Sequence, residues 1–482
     1  MNTFSAYLPY YKRNLKVAFP VMLTQLGAAM VAFFDSVMVG HYGTADLAAV
    51  SFSNAIFFTV MVFAMGAVMG ITPLVGHVHG RLEKIMERKK EEGERTKDCP
   101  MPVNTEEEIA HKHEQITSYL VNGLVYTALL CVASLALLAP CIPYLDAFGQ
   151  EPEVVSCART YYILIVISIV PFLLFCFSRQ FLEGLGNTFV AMMITIGCNL
   201  LNIGLNWVFI FGHWGFEPMG AEGAGLATLI SRCLMPVCFF IAMGCKAEWR
   251  RYLTGMKRRL ITRREVEHLL TIGVPIGMQS FAEAFLFTAS FVIIGWINKE
   301  ALAAHHIANQ MCDLTFMLAM GIGAATTIRV SHQMGKGDLQ AVKMASHASV
   351  HLCLLMNTIG AAVMILGRHS LPYLFTEDPE VIPTASTLLL IGGLFQYADG
   401  LQCIGAAMLR GIQDVRAPMR IALFSYIAIG LPLGLILAFP VGLGAEGMWL
   451  AFIVALAIPA ILYHIRFNRQ LKQLKYENEE SI

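Results

Sequence analysis

Three carboxylates lie inside stretches otherwise apolar enough to cross a lipid bilayer: Asp35 in VAFFDSVMVG, Glu283 in MQSFAEAFLFTASF and Asp399 in GGLFQYADGLQCIGAAM. A charge at the centre of a membrane helix costs roughly 2.5–3.5 kcal/mol even on the lenient insertion scale, so such groups are retained where they bind or relay something. No Lys or Arg stands close to any of the three in its own segment, which makes each a candidate cation or proton site. A second candidate group is NLLNIGLNW, with Asn199, Asn202 and Asn206. Asn202 and Asn206 are four apart and share one helix face. Their amide oxygens plus one carboxylate would form an oxygen-rich site for a hard cation such as sodium. The same spacing equally suits asparagines that hydrogen-bond a neighbouring helix. His77 and His79 in GHVHG have a metal-like spacing but sit at a helix end beside a charged stretch. His305 and His306 are adjacent, point to different helix faces and are not expected to ligate together.

The elements that position these groups must be membrane helices. Of 482 residues 56% are hydrophobic and 14% charged, against about a quarter charged in soluble domains. Windows of about twenty apolar residues place twelve spans, near 16–40, 46–76, 117–139, 156–180, 188–211, 221–244, 269–296, 301–331, 345–367, 381–409, 417–439 and 446–466. The fold class is therefore all-α integral membrane. The longest polar break, 80–116, carries both signs of charge and reads as a solvated cytoplasmic loop; the next, 245–268, is basic and reads as a linker. With a cytoplasmic amino terminus, the cytoplasmic segments and helix ends hold all but four of the 34 basic residues: Arg159, Lys299 and Arg368 fall on the other side and Arg232 within a span. That bias places both termini in the cytoplasm of a multi-pass inner-membrane protein. The cysteines, such as Cys131, Cys176, Cys198 and Cys233, lie mostly in apolar runs without metal or disulfide spacing and read as small buried side chains. The first apolar run continues as a span and lacks a small-residue cleavage site, so it is not a removed signal peptide.

The chain is internally duplicated. At an offset of about 255, Pro20 falls on Pro275, Gly40 on Gly295, Leu47-Ala48-Ala49 on Leu302-Ala303-Ala304, Asn54 on Asn309, Gly66 on Gly321, His77 on His332 and Gly80 on Gly335. GAEG recurs at Gly220–Gly223 and Gly444–Gly447. This predicts two pseudo-symmetric six-helix bundles, 1–244 and 269–482, facing each other across a cavity near mid-membrane, the usual secondary-transporter plan. The chemistry-bearing residues break the symmetry. Asp35 falls opposite Ser290, Glu283 opposite Ala28, and Asn202 and Asn206 opposite Ala428 and Pro432. Groups needed only to hold a bundle together should appear twice, so these read as separate, non-equivalent sites.

The first two spans, FPVMLTQLGAAMVAFFDSVMVGHYGTADLAAVSFSNAIF, resemble the opening of the MATE (multidrug and toxic compound extrusion) family. GVPIGMQSFAEAFLFTASFVIIG and LFQYADGLQCIGAAMLRGIQD are similar to its NorM-type branch. The resemblance covers about residues 13–465. It implies twelve helices in two six-helix lobes and export of mostly cationic, aromatic compounds coupled to Na+ or H+, with no other cofactor. It also implies that Asp35 is needed for transport, that Glu283 and Asp399 are the branch's added acids, and that Asp35, Asn202, Asn206 and Thr228 correspond to a cation site in the amino-terminal lobe. A second Na+ site would lie at Glu283 and Asp399. The hydroxyl that some members place four residues before the tenth-helix aspartate is replaced here by Phe395, with Tyr397 two residues before it instead. The expected partners are small organic cations and membrane lipid, not nucleic acid, and the expected state is a monomer. Three competing readings fit less well, one of them a channel, whose symmetric filter the duplicated, non-equivalent halves count against. A lipid-linked precursor flippase would want a cationic cavity, and only Arg232 lies in a span. An integral-membrane transferase would want clustered catalytic His or Asp motifs. A non-enzymatic transporter is the reading the residues favour, and without a GxxxxGK[ST] loop ATP has no visible place in it.

Overall fold

A computed structural model of the chain describes residues 3–95, 103–148, 152–256 and 261–480, and every regular element among them is helical. The α-helices are α1 (Thr3–Tyr42), α2 (Thr44–Val68), α3 (Ile71–Arg95), α4 (Val103–Leu138), α5 (Pro152–Gly184), α6 (Phe189–Phe211), α7 (Gly220–Cys245), α8 (Ala247–Met256), α9 (Arg263–Gly295), α10 (Lys299–Lys336), α11 (Leu339–Gly367), α12 (Val381–Gly411), α13 (Arg416–Leu423), α14 (Leu431–Ala438) and α15 (Gly444–Glu480). Among the described residues twelve stretches are long and apolar enough to cross a membrane, matching the twelve read from sequence. Three of them are composite. Thr105–Asp146 runs from α4 into a 3-10 helix, Ala139–Phe148. Thr44–Glu91 joins α2 to α3 through a turn at Met69–Gly70, and Arg416–Ala438 joins α13 to α14 through a π-helical segment, Phe424–Gly430.

The polar breaks are more ordered than their composition alone indicates. Much of the stretch read as a loop over 80–116 continues α3 and α4 as helix; residues 96–102 lie outside the described residues. Lys, Glu and Arg are good helix formers, and Lys89 Nζ reaches Glu106 Oε1 at 3.1 Å between the two helices. Within the basic linker, α8 buries Trp249 and Tyr252, and Lys246 stacks on the Trp249 ring at 4.3 Å.

Contacts divide the chain into an amino-terminal unit, Leu23–Gly277, and a carboxyl-terminal unit, Met1–Met22 with Met278–Ile482. These differ from the contiguous lobes 1–244 and 269–482, because α1 and α9 each pass from one unit into the other. Both crossings follow the repeat-related prolines, Pro20 in α1 and Pro275 in α9. A proline inside a helix removes one backbone hydrogen bond and crowds the preceding turn, which makes it a natural place for a helix to change direction. Glycines then admit the helix that arrives. In the carboxyl-terminal unit Gly321 of α10 lies against Met22, and in the amino-terminal unit Gly277 of α9 lies against the Phe63 carbonyl. Met22 and Gly277 are themselves repeat partners, so one packing arrangement is used twice.

The recurring GAEG has the same explanation in both places. Its first glycine adopts a left-handed backbone (Gly220 φ +54°, Gly444 φ +58°) that side chains disfavour. Its last glycine touches the backbone of the preceding helix: a methyl group added at Gly223 or Gly447 would stand 2.7 Å from the Phe209 or Leu437 carbonyl carbon.

At Gly273 an added methyl group would meet the Ala67 carbonyl and the Tyr126 hydroxyl, which itself donates to Ala67 O at 2.9 Å. Gly273→Ala is therefore expected to destabilise the protein by about 1–3 kcal/mol through overpacking. Thermal melting in detergent measures this; an unchanged midpoint would mean that α9 does not pack this closely on α2.

Candidate functional site

In the amino-terminal unit the structure brings Asp35 of α1 together with both asparagines of α6. Asn206 Nδ2 donates to Asp35 Oδ1 and lies 3.3 Å from Asn202 Oδ1. Asn202 and Asn206 are buried and Asp35 is half-buried. The remaining amide oxygen, Asn206 Oδ1, is buried without a hydrogen-bond donor. An acceptor left in that state costs about 1–3 kcal/mol. A half-turn of the Asn206 amide exchanges its two ends and presents Oδ1, instead of the NH2 group, to whatever sits at Asp35. The cluster can thus hold a bare carboxylate through an amide donor, or a cation through an added oxygen. Thr228, on α7, is half-buried and joins no hydrogen bond seen in this cluster.

One turn along α7 from Thr228 stands a residue whose role sequence reasoning left open. Arg232 Nη1 donates to Ser168 Oγ on α5 at 2.7 Å, and its guanidinium lies over the rings of Phe172 and Phe57 at 4.7 and 5.3 Å. Stacking between two rings shelters the cation without an ion pair. Tyr161 of α5 extends the same polar group by donating to Asn54 Oδ1 at 3.3 Å.

The carboxyl-terminal unit is built differently. Gln402 of α12 donates through Nε2 to Glu283 Oε1 at 2.7 Å and accepts at Oε1 from the Tyr426 hydroxyl at 3.1 Å. Asp399 stands one turn before Gln402 on α12. Glu283 is therefore held by an amide whose orientation Tyr426 fixes, with Asp399 one helical turn from that amide. Tyr426 lies in the π-helical segment, where the widened turn departs from the regular helix of α6. Asp399 is 6% exposed, and its Oδ1 has no hydrogen-bond partner.

Tyr397 is not part of this group: it is half-buried, and its hydroxyl donates to Thr358 Oγ1 of α11 at 3.1 Å. Phe395 is fully buried in an aromatic cluster with Phe287, Trp449 and Phe452. The position of Asp35 in the repeat, Ser290, is locked into that cluster's edge. Trp449 Nε1 can only donate, so it fixes His305 Nδ1 as an acceptor at 3.0 Å. The proton then sits on Nε2, which donates to Ser290 Oγ at 3.1 Å, and Ser290 donates onward to the Phe287 carbonyl at 2.6 Å. His306 is exposed, so the adjacent pair does diverge. At the other histidine pair, His79 Nε2 lies 3.5 Å from Glu83 Oε1. Among the described residues, no group of three or more His, Cys, Asp or Glu has the geometry to hold a metal ion.

Sequence reasoning missed Gln402, Tyr426 and Asp313. The last was visible as a fourth acid in an apolar span, NQMCDLTFM.

The MatE family model matches residues 20–84, 110–208 and 275–436. The chain belongs to the MATE family. Among curated relatives, "Probable multidrug resistance protein NorM" of Xanthomonas axonopodis pv. citri (strain 306) is 32% identical over 469 residues, covering 95% of this chain and 94% of the relative. The protein of the same name from Rhizobium meliloti (strain 1021) is 31% identical over 470 residues, covering 96% and 94%. The crystal structure of the eukaryotic MATE transporter AtDTX14 superimposes with a TM-score of 0.79 at 17% identity, covering 98% of this chain and 99% of that one. A MATE structure in complex with MaL6 gives 0.81 at 18% identity, covering 97% of each. At that identity the likeness is one of fold, and it agrees with the twelve-helix reading.

If Asn202 and Asn206 complete an ion site with Asp35, the double variant Asn202→Ala/Asn206→Ala will fold but lose sodium-dependent stabilisation. A bound ion raises apparent stability by RT ln(1 + [L]/Kd), an increment that disappears with its ligands. Melting both proteins in sodium and in an equal concentration of a bulky organic cation reads this directly. Equal sodium shifts would leave the asparagines as helix-to-helix contacts only.

Proposed function

We propose that the chain is an ion-coupled exporter of organic cations: Na+ or H+ enters down its gradient and an organic, mostly cationic compound leaves across the cytoplasmic membrane. The observation that carries this reading is the pair of non-equivalent carboxylate clusters, one inside each unit and each within membrane-spanning helices. Relatives over nearly the whole chain carry the name of a multidrug resistance protein, which supports the same direction of transport.

Coupling requires only that binding of the ion and binding of the organic cation disfavour one another, at one carboxylate or through the conformations that hold them, so that each displaces the other. The clusters supply what that needs. Asp35 is held by an amide that can turn, and Asp399 keeps one oxygen free. In the proposed orientation both termini are cytoplasmic, on the strength of the Lys and Arg bias. Each monomer holds both clusters and works alone.

Glu283→Gln and Asp399→Asn are each expected to abolish gradient-driven efflux while leaving a folded, membrane-inserted protein, since both changes keep shape and remove charge. Ethidium efflux from proteoliposomes, under separately imposed sodium and proton gradients, checks this and identifies the coupling ion. Efflux at the wild-type rate from either variant, at matched protein, would remove that carboxylate from the mechanism.

A further inference from the structure

The face of α10 that the fold leaves uncovered carries polar side chains at helical spacing: His306, Gln310 and Asp313, at i, i+4 and i+7, are all exposed. The opposite face, with His305, Ile307, Ala308 and Cys312, is buried. A polar stripe ending in a carboxylate, inside a helix that crosses the membrane, does not face hydrocarbon; such groups look onto water. Asn309 Nδ2 donates to Asp313 Oδ2 at 3.1 Å, which fixes the carboxylate and leaves Oδ1 for another partner. At the upper end of the stripe the Phe291 ring stands 6.2 Å from the His306 imidazole, so an aromatic surface adjoins the polar one.

Asp313 is distinct from the acids already described. α10 and α12 run in parallel register, with Cys312 near Gly392, Gly323 near Cys403, and Thr327 bonded to the Ala407 carbonyl, a constant difference of eighty residues. Asp399 is therefore level with residue 319, six residues or roughly 9 Å along α10 from Asp313. Asp399 is enclosed, with an unpartnered oxygen, while Asp313 is open. An enclosed carboxylate suits a bare ion or a proton, and an open one on the same helix face as an aromatic ring two turns away, about 10 Å along α10, suits a bulky cation that spans both.

We infer that Asp313, held by Asn309, is the recognition carboxylate for the transported organic cation, an ammonium or guanidinium carrying aromatic surface, and that it acts separately from the Glu283–Gln402–Asp399 group. This rests on the exporter reading above. The test uses purified full-length protein, with ethidium binding followed by fluorescence anisotropy, ion binding by sodium- and proton-dependent melting shifts, and transport in proteoliposomes. Asp313→Asn should weaken ethidium binding roughly tenfold or more, the loss of one charge-assisted contact, while keeping the wild-type ion-dependent shifts. Asp313→Glu should restore affinity to within about threefold of wild type. Should the asparagine variant not purify as a monodisperse protein, Asp313→Ser is read in the same way. Wild-type ethidium affinity in the charge-free variant would overturn the inference. Loss of the ion-dependent shift would overturn it too, by placing Asp313 with the coupling acids. A wild-type protein that moves no ethidium under either gradient would instead defeat the exporter reading, and this inference with it.

Discussion

An acid in a bilayer-spanning helix needs a partner that water would otherwise supply, and much of this molecule follows from where those partners come from. Asp35 and Glu283 each accept a hydrogen bond from a side-chain amide, Asn206 and Gln402 respectively. An amide stabilises a carboxylate without cancelling its charge, so the site still attracts a cation. Arg232, a cation within a span of the amino-terminal unit, is held over aromatic rings with a serine as its hydrogen-bond partner.

The duplication supplies the frame, and its failures supply the chemistry. What recurs is backbone geometry: prolines where α1 and α9 change unit, glycines where helices touch, and the left-handed glycine opening each GAEG. What does not recur is polar. Where the amino-terminal unit has Asp35, the carboxyl-terminal unit has Ser290, tied through neutral His305 to Trp449 and the aromatic cluster. A space that holds a carboxylate in one unit belongs to the core in the other.

The twelve spans were legible because lipid demands long apolar runs, and a run of twenty residues is hard to mistake. The meeting of Asp35 with Asn202 and Asn206 was legible from four-residue spacing together with the family resemblance. The rest was hidden for physical reasons. Gln402 reads as one polar residue among many, and its importance comes from meeting Glu283 and Tyr426 in space. Tyr426 is placed by a π-helical turn that no periodicity announces. Tyr397 looked like a substitute for the missing hydroxyl at Phe395, but two residues along a helix is about 200° of rotation, and its hydroxyl is taken by Thr358. The exchange of α1 and α9 between units was equally invisible, because hydropathy reports that a helix spans and not which helices it packs against.

The two amides also differ in what they permit. Gln402 is bonded at both ends, to Glu283 and to Tyr426, so turning it would break two hydrogen bonds at once. Asn206 is bonded through its NH2 group alone, with its oxygen buried and unmatched, so turning it exchanges one imperfect arrangement for another. A cation arriving at Asp35 reverses that balance, because the oxygen then has something to bind. The amino-terminal cluster can therefore adapt to its occupant by a local rotation. In the carboxyl-terminal cluster the amide is fixed and the free oxygen belongs to Asp399 itself, so an occupant must come to a preset carboxylate. One sequence repeat thus yields an adaptable site and a rigid one, and the difference traces to a hydroxyl placed by one turn of π-helix.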